Sequence, residues 1–185
     1  MQDMLKEDIN KIVQITAEEF AEIELFFQRK SRRKGSVLVE SGKTGSHEYF
    51  ILKGLVAASH LNEMGKNQIV QFAMEGQWIS DIQSFNTGCA SLMDIKCLED
   101  TELYRISYQD KEKLCAMSNK MGHFFRKKSY ASSILLQNTI LLFMCSNAKE
   151  RYQHFIKAYP DIHLRIPKVM IASFLGITRR TLSQI

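Results

Sequence analysis

Between residues 35 and 108 the chain repeats one pattern, a short apolar run followed by a turn signal. Val37-Leu38-Val39 precedes Ser41-Gly42 and Thr44-Gly45, and Tyr49-Phe50-Ile51-Leu52 precedes Lys53-Gly54. Leu55 to Leu61 leads into Asn62-Glu63-Met64-Gly65-Lys66-Asn67, and Gln68 to Met74 ends at Glu75-Gly76. Ile95 to Leu98 and Glu102 to Ile106 complete the set. Runs this short suit strands and are too brief for free-standing helices. Many short strands at regular spacing protect their edges by closing into a sandwich or small barrel, and a jelly roll fits.

The flanks read as helices. In residues 1–34, Thr16 with Glu19 has the form of a capping box, and Phe20, Ile23 and Phe27 recur at helical spacing. The run Arg29-Lys30-Ser31-Arg32-Arg33-Lys34 then either touches phosphates or is a solvated entry to a strand. In residues 109–145, one helix opens at Asp110 and a longer one near Ser118. Met121, Phe124, Lys128, Ala131, Leu135, Asn138 and Leu142 follow a heptad seam, and Phe125, Ile134, Leu141 and Phe143 form a second stripe. A helix apolar on two sides must bury both. One side can cover the β-structure; the other is met either by the same helix of a second copy or by further parts of one chain.

The last 40 residues carry the sharpest local pattern. Asn147 and Glu150 are spaced as a capping box, Tyr152, Phe155 and Ile156 give an apolar face, and Tyr159-Pro160-Asp161 ends that helix. His163 to Ile166 reads as a short extended run before Pro167, which suits the first turn of another helix. There Val169, Ile171, Ala172 and Leu175 form a packing side, Gly176 permits a tight turn, Ile177 plugs it and Thr178 caps the next helix. Leu182 and Ile185 then face inward and leave Arg179, Arg180, Thr181, Ser183 and Gln184 facing out. That is how a helix-turn-helix presents a reading helix: Arg pairs with a guanine edge, Gln with adenine, and hydroxyls or Lys168 with phosphates.

Charge agrees. Residues 1–145 hold 18 basic and 18 acidic residues; residues 146–185 hold seven basic and two acidic, so the whole net charge of +5 lies there. Such asymmetry points to a polyanion. Cys89, Cys97, Cys115 and Cys145 contain no CxxC pair and the five histidines no HxxxH, so they read as structural residues with no metal site. An enzyme on such a barrel needs clustered histidines and carboxylates, and His47-Glu48 with His60 lack a third member. The apolar block Ile134 to Cys145 is interrupted by Gln137, Asn138 and Thr139 and is too short to span a bilayer. The acidic start Met1-Gln2-Asp3-Met4 lacks a signal-peptide pattern, so a cytoplasmic protein without membrane partners is expected.

At this point the chain resembles the Crp/Fnr family of bacterial transcription regulators. The resemblance runs through Glu40-Ser41-Gly42, Tyr49-Phe50-Ile51-Leu52-Lys53-Gly54 and Leu98-Glu99-Asp100-Thr101-Glu102 to Ile106-Ser107-Tyr108, and most specifically Ile171-Ala172-Ser173-Phe174-Leu175-Gly176-Ile177 with Thr181-Leu182-Ser183. It implies an α+β fold: a cyclic-nucleotide-binding-like β-roll with an N-terminal helix over 1–108, a dimerisation helix over 109–145, and a winged helix-turn-helix over 146–185. It also implies base reading by Arg179, Arg180 and Gln184, phosphate contacts by Thr178 and Thr181, RNA polymerase as a partner, and a reading helix that in relatives runs past Ile185, so that the chain carries it truncated.

Two departures bear on the effector. Cyclic-AMP-binding members carry Gly-Glu and, later, Arg-Ser; here Ser80-Asp81 and Ser91-Leu92 stand in those places. No Lys or Arg occurs from Gly76 to Ser91, so a buried cyclic phosphate would lack a cation. Ser80, Asp81, Ile82, Ser91 and Leu92 are therefore the candidate pocket for an unidentified effector other than cyclic AMP. No cysteine precedes Cys89, so the family's iron–sulfur sensing is not expected, and the scattered histidines read as structural or surface residues rather than haem ligands. The sequence thus predicts a homodimeric, effector-controlled regulator of double-stranded DNA; the competing reading is a ligand-binding module with a degenerate DNA-binding part that works through protein contacts.

Overall fold

The computed structural model describes residues 3–63 and 65–185. Met1, Gln2 and Met64, and with them part of the signal-pattern reading and one residue of the 62–67 turn, lie outside the described residues. Helices α1 (Asp3–Asn10) and α2 (Ala17–Glu24) lead to strands β1 (Gln28–Arg32), β2 (Val37–Val39), β3 (His47–Lys53), β4 (Val56–Leu61), β5 (Asn67–Ala73) and β6 (Trp78–Ile79). A short helix α3 (Ile82–Thr87) and strands β7 (Asp94–Cys97) and β8 (Thr101–Ser107) close the β-part. Six helices follow: α4 (Tyr108–Met117), α5 (Asn119–Cys145), α6 (Ala148–Ala158), α7 (Ile162–Arg165), α8 (Lys168–Leu175) and α9 (Arg179–Leu182).

The strands pair into two antiparallel four-stranded sheets, β1-β8-β3-β6 and β2-β7-β4-β5. Side-chain alternation explains why both faces of each sheet are covered. On β3, Tyr49 and Ile51 meet Val56, Ala58, Ile95 and Cys97 between the sheets. Phe50 and Leu52 point the other way, into a cluster with Leu5, Ile9, Phe20, Ile23, Met121 and Phe124. On the second sheet Leu55, Ala57, Ile69 and Phe72 point outward onto Phe155, Ile162, Ile171, Ala172 and Leu175. The molecule is therefore four layers: N-terminal helices with the start of α5, two sheets, and the C-terminal helices. Gly54, at φ 102, makes the corner from β3 to β4 where a Cβ would stand 2.7 Å from the carbonyl oxygen of Asp100.

Local signals mark most helix starts, though α4 opens at Tyr108 behind its cap Ser107, two residues before the expected Asp110. Thr16–Glu19 and Asn147–Glu150 form reciprocal capping boxes, and Ser107 and Ser118 cap α4 and α5. Elsewhere the structure departs from expectation. The stretch 1–34 is not helical throughout: Gln28–Arg32 is the edge strand β1, paired with β8, and Arg29 bridges Glu102 at 2.7 Å. Its charged residues conceal a strand that the partner strand, not its own composition, stabilises. His163 to Arg165 are not extended but belong to the one-turn helix α7, begun by Asp161 in the left-handed conformation; the proline constraint reaches only Ile166, which is extended.

Candidate functional site

The C-terminal helices meet at a sharp corner. The α8 face of Ile171, Ala172 and Leu175 is buried among Phe155, Ile162, Ile166 and Leu182. Gly176 ends α8 at φ 67, and the amide of Ile177 bonds back to the carbonyl of Ala172 at 3.0 Å. Thr178 caps α9 by accepting from the amide of Thr181 at 3.1 Å. Val169 is not a packing residue: at about 100° per residue the buried arc runs Ile171, Leu175, Ala172, and Val169 falls beyond it and is exposed. Ile185 is likewise exposed rather than inward.

Arg179, Arg180 and Gln184 are exposed on and just beyond α9, and Lys168 is exposed at the other end of α8, away from the corner. Among the described residues no carboxylate forms a salt bridge with Lys168, Arg179 or Arg180; the only C-terminal cation so paired is Arg165. The hydroxyls of the candidate contacts are partly engaged. Thr178 and Thr181 share a hydrogen bond of 2.9 Å, and Ser183 donates to the carbonyl of Arg179 at 3.0 Å. The corner thus offers free cations and an amide at its rim, and hydroxyls that already stiffen α9.

Along α5 the expected seam divides. Met121 and Phe124 are wholly buried in the chain's own core and cannot meet a second copy. Lys128 bonds Asp8 at 3.0 Å. Ala131 and Leu135 line a cleft against the chain's own β-part yet remain exposed, Leu135 at 63%; Asn138 is exposed too and Leu142 half-buried. Of the second stripe, Phe125 is buried and Phe143 lies under the Arg151 guanidinium. The outward face carries Tyr130, Ile134, Gln137, Leu141 and Met144, a heptad-like spacing with all five exposed. The core claims only the start of the expected seam, Met121 and Phe124, while Ala131, Leu135 and Asn138 stay exposed; periodicity locates a stripe and not what covers it.

At the candidate effector place, Asp81 and Ser91 are buried and bonded to each other. Asp81 accepts from the Ser84 amide at 3.0 Å, the Ser91 hydroxyl at 2.7 Å and the Leu92 amide at 3.3 Å. Burial pushes the Asp81 carboxyl up, but these hydrogen bonds outweigh it and hold the group below its ordinary range. The carboxylate thus caps the N-terminus of α3 from within the chain. Ser80 and Ile82 instead line the cleft, of about 570 Å³, with Trp78, Phe85, Lys111, Phe125 and Tyr159, and Leu92 is exposed away from it. Lys111 there is taken by Glu48 at 2.7 Å.

A family model described as a cyclic nucleotide-binding domain matches residues 29–118. The chain is 21% identical over 160 residues to the cAMP-activated global transcriptional regulator CRP of Haemophilus influenzae, spanning 81% of this chain and 71% of that protein. Its fold resembles that of FixK2 from Bradyrhizobium japonicum, with a TM-score of 0.73 at 19% identity over 85% of this chain and 81% of that one. It also resembles CLP of Xanthomonas campestris, described as a c-di-GMP responsive global regulator, with a TM-score of 0.66 at 14% identity over 91% and 89% of the two chains.

Proposed function

We propose that this chain, which belongs to the Crp/Fnr family of regulators and carries their cyclic-nucleotide-binding-like sensor domain, regulates transcription as a homodimer that reads double-stranded DNA. The observation that carries this is α9, where Arg179, Arg180 and Gln184 are exposed beside a capped helix start, with Lys168 exposed at the start of α8, and among the described residues no carboxylate forms a salt bridge with the arginines. Arg179, Arg180 and Gln184 read base edges; Lys168 and the first turn of α9, with Thr178, Thr181 and Ser183, meet phosphates. Two copies join through Tyr130, Ile134, Leu141 and Met144 of α5, and a two-fold dimer reads half-sites about one helical turn apart. The sensor, dimerisation and reading parts follow residues 1–108, 109–145 and 146–185.

The effector is a small molecule that enters the cleft between the β-part and α5, and it is not a cyclic nucleotide. Asp81 fills the anion place from within, and no Lys or Arg lies between Gly76 and Ser91 to replace it. Binding shifts the population between placements of the two reading helices. By this reading the protein acts in the cytoplasm, with RNA polymerase as the machinery it influences.

The test is retention on duplex DNA across salt. The account predicts a loss of affinity of roughly a thousandfold between about 50 and 200 mM salt, the signature of several phosphate contacts. Binding absent at every salt would hand the lead to the ligand-binding module that acts through protein contacts.

A further inference from the structure

The C-terminal helices are joined to α5 through Ser146 and Asn147 alone, both extended. Beside the stacking of Arg151 on Phe143 of α5, what positions them is their contact with the β-part, and three kinds of contact coincide there. Arg165, the last residue of α7, spans two carboxylates. It reaches Glu75 at 2.9 and 3.0 Å and Glu99 at 3.0 and 2.7 Å. Glu75 in turn accepts from the amide of Gly54 at 2.7 Å. Burial pushes the Glu75 carboxyl up, yet the hydrogen bonds from Arg165 and from the backbone outweigh it and hold it below its ordinary range.

The second contact is on β5, the outer edge of its sheet. The Ile69 amide donates outward to the Ser173 hydroxyl at 3.0 Å, which donates to the Asn67 carbonyl at 2.9 Å, and the Gln68 side chain donates to the Ser173 carbonyl. One serine of α8 thus stands in for a neighbouring strand. The third is a ring cluster in which Phe72 of β5 meets Phe155, Tyr159 and Phe174 at centroid distances of 6.2, 6.1 and 5.5 Å.

We propose that these contacts form a releasable latch, with Arg165 as its key, that holds the C-terminal helix pair docked on the chain's own β-roll. The latch is releasable because its charges are reached by water: the Arg165, Glu75 and Glu99 side chains keep 24%, 35% and 32% of their exposure. Ion pairs of that kind weaken with salt and with competing ions. It is also placed to be worked by an effector. Phe72 and Tyr159 line the cleft, as do Gly76 and Gln77, which directly follow Glu75. A molecule filling the cleft presses on the dock from behind. The regulatory meaning rests on the reading of α8 and α9 as the DNA-contacting pair.

The test uses no DNA, so the latch and that reading can fail separately. Hydrogen exchange at the Ile69 amide, whose acceptor is Ser173, reports docking. The Ile51 amide, bonded to the Gln77 carbonyl at 3.0 Å inside the β-part, reports overall folding. Arg165→Met and, separately, the double variant Glu75→Gln/Glu99→Gln should each speed exchange at Ile69 about tenfold or more and leave Ile51 unchanged. Ser173→Ala, which removes the acceptor itself, marks the exchange rate of a freed Ile69. An unchanged Ile69 in either variant overturns the latch. So does a loss of protection shared equally by Ile51, which would mean unfolding rather than release.

Discussion

The Ser91 hydroxyl donates to Asp81 Oδ2 at 2.7 Å, a buried pair at the start of α3. Because Asp81 is held below its ordinary range when folded, it stabilises the protein above the pKa of an unfolded aspartate, about 3.9, and that contribution is lost as pH falls through the lower folded value. Asp81→Ala should cost about 1–3 kcal/mol at neutral pH and flatten the acid limb of stability, read by urea unfolding. It should not create cyclic AMP binding, since no cation replaces the lost anion; calorimetric binding of cyclic AMP to the parent protein would refute the effector argument.

Asp8 of α1 joins β6 and α5. Its carboxylate accepts from the Trp78 indole at 2.8 Å and the Lys128 ammonium at 3.0 Å, and it is buried. Asp8→Ala strands both donors and should cost about 2–4 kcal/mol in denaturant melts. Asp8→Asn, which keeps an acceptor, should recover part of that.

On α5 the two faces predict opposite results. Ile134→Lys with Leu141→Lys places charge on the exposed stripe and should turn dimer into monomer in sedimentation at micromolar concentration, with the fold retained. Leu135→Lys, at a residue that lines the cleft although it is 63% exposed, should leave the dimer intact. Loss of the dimer only with Leu135→Lys would reverse the assignment.

Gly54→Ala meets the Asp100 carbonyl at 2.7 Å and the Thr101 side chain at 2.7 Å at a φ of 102. The clash is with backbone, so a loss of more than about 3 kcal/mol is expected, enough to lower soluble yield visibly.

The elements that were legible in the sequence are those whose cause is local. Val37–Val39, the Tyr49–Leu52 core of β3, and the caps at Thr16, Ser118 and Asn147 rest on alternation or on a side chain three residues from its partner. What escaped is held from a distance. Gln28–Arg32 is a strand because β8 pairs with it, and Trp78–Ile79 because β3 does. α5 misled because Met121 and Phe124 are claimed by strands and helices remote in sequence. At the candidate site, the exposed cations of α9 were readable from spacing. Arg165 was counted only as a charge, and nothing near it in sequence announces Glu75 or Glu99, 90 and 66 residues away.

The central claim is that a dimer reads DNA through α9. Its most direct measurement is selection of genomic fragments by the purified protein at two salt concentrations, repeated with Arg180→Ala. The account predicts recovery of a shared two-fold motif with half-sites about one helical turn apart, lost selectively by about 1–3 kcal/mol at one base position in the variant. Recovery of no common motif, or an equal loss on all sequences, would contradict base reading by Arg180 and with it the regulator mechanism set out above.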